Sequence, residues 1–125
     1  MSPSSITVYG IPNCNSVKKA QDWLRQQALP FVFHDFKKAG VPEDALDSWL
    51  AALGWASLLN RKGTTWRQLP PDVQAQVQDS ASARALMLSH SSVIKRPVID
   101  WGAASKPRFT VGYTPESWPT HISLP

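Results

Sequence analysis

The sequence predicts an α/β fold, a mixed sheet flanked by helices and interrupted by a helical insertion, on three observations. A short apolar run, a helical pattern of about four turns and a second apolar run open the chain in β-α-β order. A long stretch of broken helical periodicity follows. Two further short runs, separated by a loop rich in turn formers, close the chain as a hairpin. The 125 residues are expected to form a single domain, with core segments at about 6–36 and 93–118 and the insertion at about 42–90.

Ile6, Val8 and Tyr9 read as the first strand, Gly10 to Asn13 as a turn, and Val17, Ala20 and Leu24 as the inner stripe of the first helix. That helix is expected to end near Gln27 to Leu29, ahead of Pro30. Phe31 to Phe36 reads as a second buried strand, parallel to the first because a helical crossover joins them. His34 within it has no partner at metal spacing and reads as a structural or edge residue rather than a ligand.

Lys37 to Gly40 is expected to be a loop. Pro42, Glu43 and Asp44 suit a helix start, and Leu46, Trp49, Leu50 and Leu53 recur at helical spacing up to a terminating Gly54. Trp55, Leu58 and Leu59 form a short piece and Asn60 to Thr65 a turn. Pro70-Pro71 opens a short helix through Val77, and Ser80 or Ser82 caps one carrying Ala83, Leu86 and Met87. Trp49, Trp55 and Trp66 read as packing residues rather than ligand platforms. Pro97 precedes a strand over Val98 to Trp101, which pairs with Arg108 to Tyr113. Thr114-Pro-Glu-Ser is expected to open a helix that Pro119 cuts short, with the tail to Pro125 loosely held.

Cys14 is the only cysteine, and it falls where strand passes to helix. Unpaired backbone N–H groups and the macrodipole at a helix N-terminus stabilise an anion, so a thiol there loses its proton more readily and gains nucleophilicity. Asn13, Asn15 and Ser16 are placed to supply polar contacts to the sulfur or the first turn. Lys18 and Lys19 add positive charge nearby. The alternative for any lone cysteine is a small buried hydrophobe.

Composition narrows the function. Apolar content of 42 % and a net charge of +4 fit a globular protein whose basic residues come mostly in dispersed pairs, Lys18-Lys19, Lys37-Lys38, Arg61-Lys62 and Lys95-Arg96. A small anionic ligand suits such pairs better than nucleic acid, which favours a dense basic stripe. No stretch approaches a membrane span, and Met1 to Ser5 lacks the basic start and apolar run of a signal peptide. One cysteine excludes an internal disulfide, and the cytoplasm is the expected compartment. Cys14, His34, His90 and His121 show no metal-ligand spacing, and no bound cofactor is expected.

Three motifs, Tyr9-Gly-Ile-Pro-Asn-Cys14, Leu59-Asn-Arg-Lys-Gly63 with Thr64-Thr-Trp66, and Ile94-Lys-Arg-Pro-Val98, occur in order at spacings that resemble the arsenate reductase-like ArsC/Spx family, with the YffB branch nearest. The resemblance covers about residues 6–113. It implies a thioredoxin-like, glutaredoxin-like fold with a helical insertion, with Cys14 as nucleophile and Arg61 and Arg96 binding an anionic substrate or stabilising the thiolate. It also implies a cis Pro97 beside the site. A guanidinium fork suits an oxyanion or the carboxylates of glutathione.

Two departures qualify the inheritance. Arsenate reductases of the family carry a further arginine whose place falls near Gly112 and Tyr113 here, and Arg108 is a weak substitute. The second cysteine of the Spx redox switch corresponds to Val17. The expected activity is therefore a glutathione-dependent monothiol reductase or transferase, with glutathione and glutaredoxin as partners and an anionic or disulfide substrate. In that scheme Asn13, Asn15 and nearby backbone N–H groups steady developing negative charge. An Spx-like regulator binding a protein such as RNA polymerase is the alternative of a different class, and arsenate reduction ranks third.

Overall fold

The computed structural model describes residues 6–119. The readings of Met1–Ser5, His121 and the tail to Pro125 lie outside the described residues. Two compact units divide the chain, one built from the segments up to Ala39 and from Arg96 onward, the other from Gly40–Lys95.

The first unit is a four-stranded mixed sheet of order β2-β1-β3-β4, with β1 at Thr7–Gly10, β2 at Val32–Asp35, β3 at Val98–Asp100 and β4 at Phe109–Val111. β1 runs parallel to β2 and antiparallel to β3, and β3 and β4 form the expected hairpin. Alternation on β1 sends Val8 into the core, while Tyr9 faces the other way beside His34 and Phe36. Helix α1, Asn15–Gln26, lays Val17, Ala20 and Leu24 against Ile6, Val8 and Ile99, with Trp101, Trp118 and Leu29 completing this core. Trp23, Trp101 and Trp118 meet edge to face or tilted, with ring centroids 4.9–6.2 Å apart. The Trp101 indole N–H is satisfied by the Thr110 hydroxyl at 2.9 Å.

Strand and helix approach closely at Gly10. A Cβ on Gly10 would stand 2.7 Å from a methyl carbon of Val17, which is fully buried and stiff about χ1. The end of α1 is set by a backbone motif rather than by Pro30. Ala28 N–H donates to the Arg25 carbonyl at 3.0 Å and Leu29 N–H to the Leu24 carbonyl at 2.9 Å, with Leu29 buried behind the turn. This is a Schellman closure, and it holds Ala28 at φ 57°, where glycine is the usual occupant.

Three expectations in this unit are corrected. The second strand is an edge rather than a buried strand, with Val32 65 % exposed, because among the described residues β2 pairs with β1 alone. The predicted loop at 37–40 begins with a short helix, α2, at Phe36–Ala39, started by the Asp35 carboxylate accepting the Lys37 N–H at 2.8 Å. The predicted helix after Thr114 is only a single 3₁₀ turn at Pro115–Ser117. There the Ser117 hydroxyl bonds back to the Thr114 carbonyl, and Trp118 is extended ahead of Pro119.

The second unit is helical. α3 spans Glu43–Leu53 and ends at Gly54 (φ 82°), followed by α4 at Trp55–Leu58. α5 at Thr64–Gln68 lies largely beyond the predicted turn, whose geometry is confined to residues 60–63 by Asn60 accepting the Lys62 N–H. α6 spans Pro71–Ala75 and α7 Ser80–Ser89. Asp79, rather than either serine, caps α7, and Ser82 reciprocates at the third helical position as a capping box. Arg84 of α7 bridges Asp47 at 2.6 Å and Glu43 at 3.1 Å on α3. Leu46, Trp49, Leu50, Leu58, Ala83, Leu86 and Met87 are buried. Leu59 and Ile94 form an isolated antiparallel bridge that ties the residue after α4 to the end of the unit.

Two substitutions test these backbone constraints by chemical denaturation. Gly10→Ala is expected to lower stability by about 1–3 kcal/mol, the range for overpacking a filled core. Ala28→Gly should raise it by up to about 1 kcal/mol, since relief of the left-handed strain exceeds the extra unfolded-chain entropy.

Candidate active site

Cys14 occupies the N-cap position of α1, with extended backbone (φ −133°, ψ 121°) and its carbonyl accepting the Lys18 N–H at 3.0 Å. The extended cap turns the side chain back over the first helical turn, where N–H groups lack intrahelical acceptors. The sulfur is partly buried. Burial pushes the thiol up, but the Val17 N–H, the hydrogen bond and charge of the Arg96 guanidinium, and the Ser16 N–H together outweigh it, so the thiol lies below its ordinary value.

Arg96 reaches the sulfur from the segment leading into β3. The Arg96-Pro97 peptide is cis, as the family resemblance implied, and buried Pro97 accepts the Gly112 N–H at 2.8 Å through its carbonyl. Gly112 and Tyr113 are thereby fastened to the same segment as Arg96.

The other predicted site residues fall elsewhere. Asn13 and Asn15 are exposed, and the polar contacts expected from them are made instead by the backbone N–H groups of Ser16 and Val17. Arg61 belongs to the second unit, where its exposed guanidinium stands 5.5 Å from the centre of the Trp55 ring. Arg108 is committed to Asp100, donating to both carboxylate oxygens at 3.0 and 3.2 Å while lying over Phe109. Tyr9 neighbours that pair. Burial and Asp100 raise its phenol above the usual range and Arg108 opposes them. Lys18 and Lys19 are both exposed, and Lys19 stands 6.0 Å over the Tyr113 ring.

Sequence reasoning missed the Lys19–Tyr113 contact and the Asp100 clamp on Arg108. The clamp had a legible signal, since both residues flank a predicted hairpin loop. Among the described residues no group of three or more His, Cys, Asp or Glu could hold a metal ion. Within the same residues no helix is long and apolar enough to cross a membrane.

A mixed sheet with a thiol at the N-terminus of its first helix, an arginine on that thiol and a cis-proline entering the next strand define a thioredoxin-like protein. The chain belongs to the ArsC family, whose model matches residues 9–120. It is similar to the YffB (PA3664) protein, with a TM-score of 0.82 and 40 % identity over 90 % of this chain and 95 % of that one. It is also similar to an arsenate reductase (ArsC) related protein from Brucella melitensis, with a TM-score of 0.68 and 44 % identity, covering 92 % and 93 % of the two chains. Among curated sequences it is 37 % identical to an uncharacterised protein of Haemophilus influenzae over 75 % of this chain and 82 % of the relative. The global transcriptional regulator Spx of Bacillus subtilis is 25 % identical over 86 % of this chain and 79 % of the regulator.

The sulfur's surroundings fix a pH response. Alkylation of Cys14 by a small neutral reagent should titrate with a midpoint below the free-thiol value of about 8.5, and Arg96→Ala should move that midpoint upward by removing both a donor and a positive charge. The sign for stability follows by linkage. The thiolate's contribution is fully present above the unfolded-state value and is lost as pH falls through the lowered folded-state value.

Proposed function

We propose that this chain is a glutathione-dependent monothiol reductase or transferase. The observation that carries the reading is the partly buried Cys14 thiol, held low by two backbone N–H groups and Arg96. The Cys14 thiolate attacks the glutathionyl sulfur of a mixed disulfide. A Cys14–glutathione S–S bond forms, the substrate's S–S bond breaks, and the electron pair leaves with the substrate thiolate, which takes a proton from water. A second glutathione thiolate then attacks the glutathionyl sulfur, releasing oxidised glutathione and regenerating the Cys14 thiolate. The net exchange is one mixed disulfide and one free glutathione giving the substrate thiol and oxidised glutathione, so the incoming glutathione is the reductant. An external thiol is required because the chain has no second cysteine.

In this reading Arg96 stabilises Cys14 as attacking and as leaving thiolate. The exposed Arg61 guanidinium is proposed to take a carboxylate of the substrate or of glutathione. Pro97 presents backbone beside the sulfur, and glutaredoxin is a proposed alternative electron donor in the cytoplasm. Arsenate reduction is disfavoured because Arg108 is held by Asp100, and Gly112 and Tyr113 stand where a third arginine is expected.

A second reading, a regulator that acts by binding a protein partner such as RNA polymerase, draws on the similarity to Spx. A glutathione-coupled assay on a glutathionylated substrate separates the two. The enzyme reading expects turnover that Cys14→Ser abolishes and Arg96→Ala reduces by about tenfold or more, the scale of one charge-assisted hydrogen bond. Full turnover by Cys14→Ser would refute it.

A further inference from the structure

A second feature of the first unit lies on the exposed flank of α1. Lys19, Asp22, Trp23, Gln26 and Tyr113 line a hollow of about 220 Å³. Its two charges are opposite in sign and three residues apart on the helix, which makes them neighbours on one face. The Lys19 ammonium stands over the Tyr113 ring and, among the described residues, has no acidic partner. Asp22 gives one carboxylate oxygen to Arg25 at 3.1 Å in an ion pair whose side chains are 61 % and 66 % exposed, so its other oxygen is open to a further donor. Trp23 and Tyr113 add ring surface to the lining, and Gln26 adds an amide.

We propose that this hollow receives an α-amino-acid zwitterion, and that in the reductase reading, on which the choice of ligand rests, it is the subsite for the γ-glutamyl end of glutathione. Lys19 takes the α-carboxylate, Asp22 takes the α-ammonium, and the glutamyl methylenes lie on the rings of Trp23 and Tyr113. The reach is suitable. Lys19 is five residues beyond Cys14, about 7.5 Å along the helix axis. In glutathione the glutamyl α-carbon lies about two extended residue lengths, roughly 7 Å, from the cysteinyl α-carbon. The far wall is tied to the thiol site as well, because Tyr113 follows Gly112, whose N–H is bonded to Pro97 beside Arg96. A lone carboxylate would use only Lys19 and a lone amine only Asp22, so the paired charges select the zwitterion over either.

The test is binding of S-methylglutathione, whose blocked sulfur separates recognition from turnover, followed by amide chemical shifts in the full chain. Wild type is expected to show shifts at Lys19, Asp22 and Tyr113. Lys19→Glu should weaken binding about tenfold or more, and Asp22→Asn should erase the preference for S-methylglutathione over its deaminated analogue. Unchanged affinity in both variants, or equal wild-type affinity for the deaminated ligand, overturns the proposal. Both side chains are exposed, so the variants are expected to fold, and the spectra themselves verify it. Cys14-dependent turnover with binding elsewhere removes the subsite and leaves the reductase. Binding at the hollow without Cys14-dependent turnover removes the reductase and leaves the subsite.

Discussion

The contact between Gly10 and Val17 governs the first unit. Burial of the Val17, Ala20 and Leu24 face brings α1 down onto the sheet, and the missing side chain at Gly10 lets the first turn descend directly beside the end of β1. Only three residues, Ile11, Pro12 and Asn13, then separate the strand from Cys14. The thiol is thus fixed at the helix start by core packing beneath it. Two of the three hydrogen bonds that activate it come from the same turn that Val17 anchors.

Burial and hydrogen bonding oppose each other at the sulfur. A half-buried thiol with no donors would hold its proton more tightly than a free one. Here the backbone of the first turn supplies donors at no cost in side-chain entropy, and Arg96 adds a permanent charge from the segment before β3. Arg108, by contrast, spends its fork on Asp100, where it fastens the β3–β4 hairpin across the loop. Two arginines of one sequence segment therefore carry different work, one tuning a nucleophile and the other closing a hairpin.

Much of this was readable from the residues. Period-2 and period-3.6 patterns located β1, α1, α3, α7 and the β3–β4 pair, because each buries a face of regular spacing. What escaped had local causes that residue type alone does not announce. Val32 carries a strand former's side chain but lies at a sheet edge, a fact of topology. Phe36–Ala39 is too short to show a period, and its start depends on Asp35 turning its carboxylate onto Lys37. Ala28 sits in a left-handed conformation with no glycine to mark it. Cys14 was legible as a reactive thiol from its position between strand and helix, where free backbone N–H groups are expected. Asn13 and Asn15 were weighed beside those groups, but both are exposed, and the donors on the sulfur from this turn are the N–H groups of Ser16 and Val17.

That last feature bears on how such a site diverges. Two of the three donors that lower the thiol belong to peptide groups, which every non-proline residue carries. Positions 13, 15 and 16 can therefore drift in side-chain identity while the nucleophile keeps its character, provided that the helix begins at the same place and Arg96 remains. Lineages descended from one ancestor can differ around the cysteine without differing in chemistry. Replacement of the arginine, or of the small residue beneath the turn, is the change that marks a true loss of reactivity.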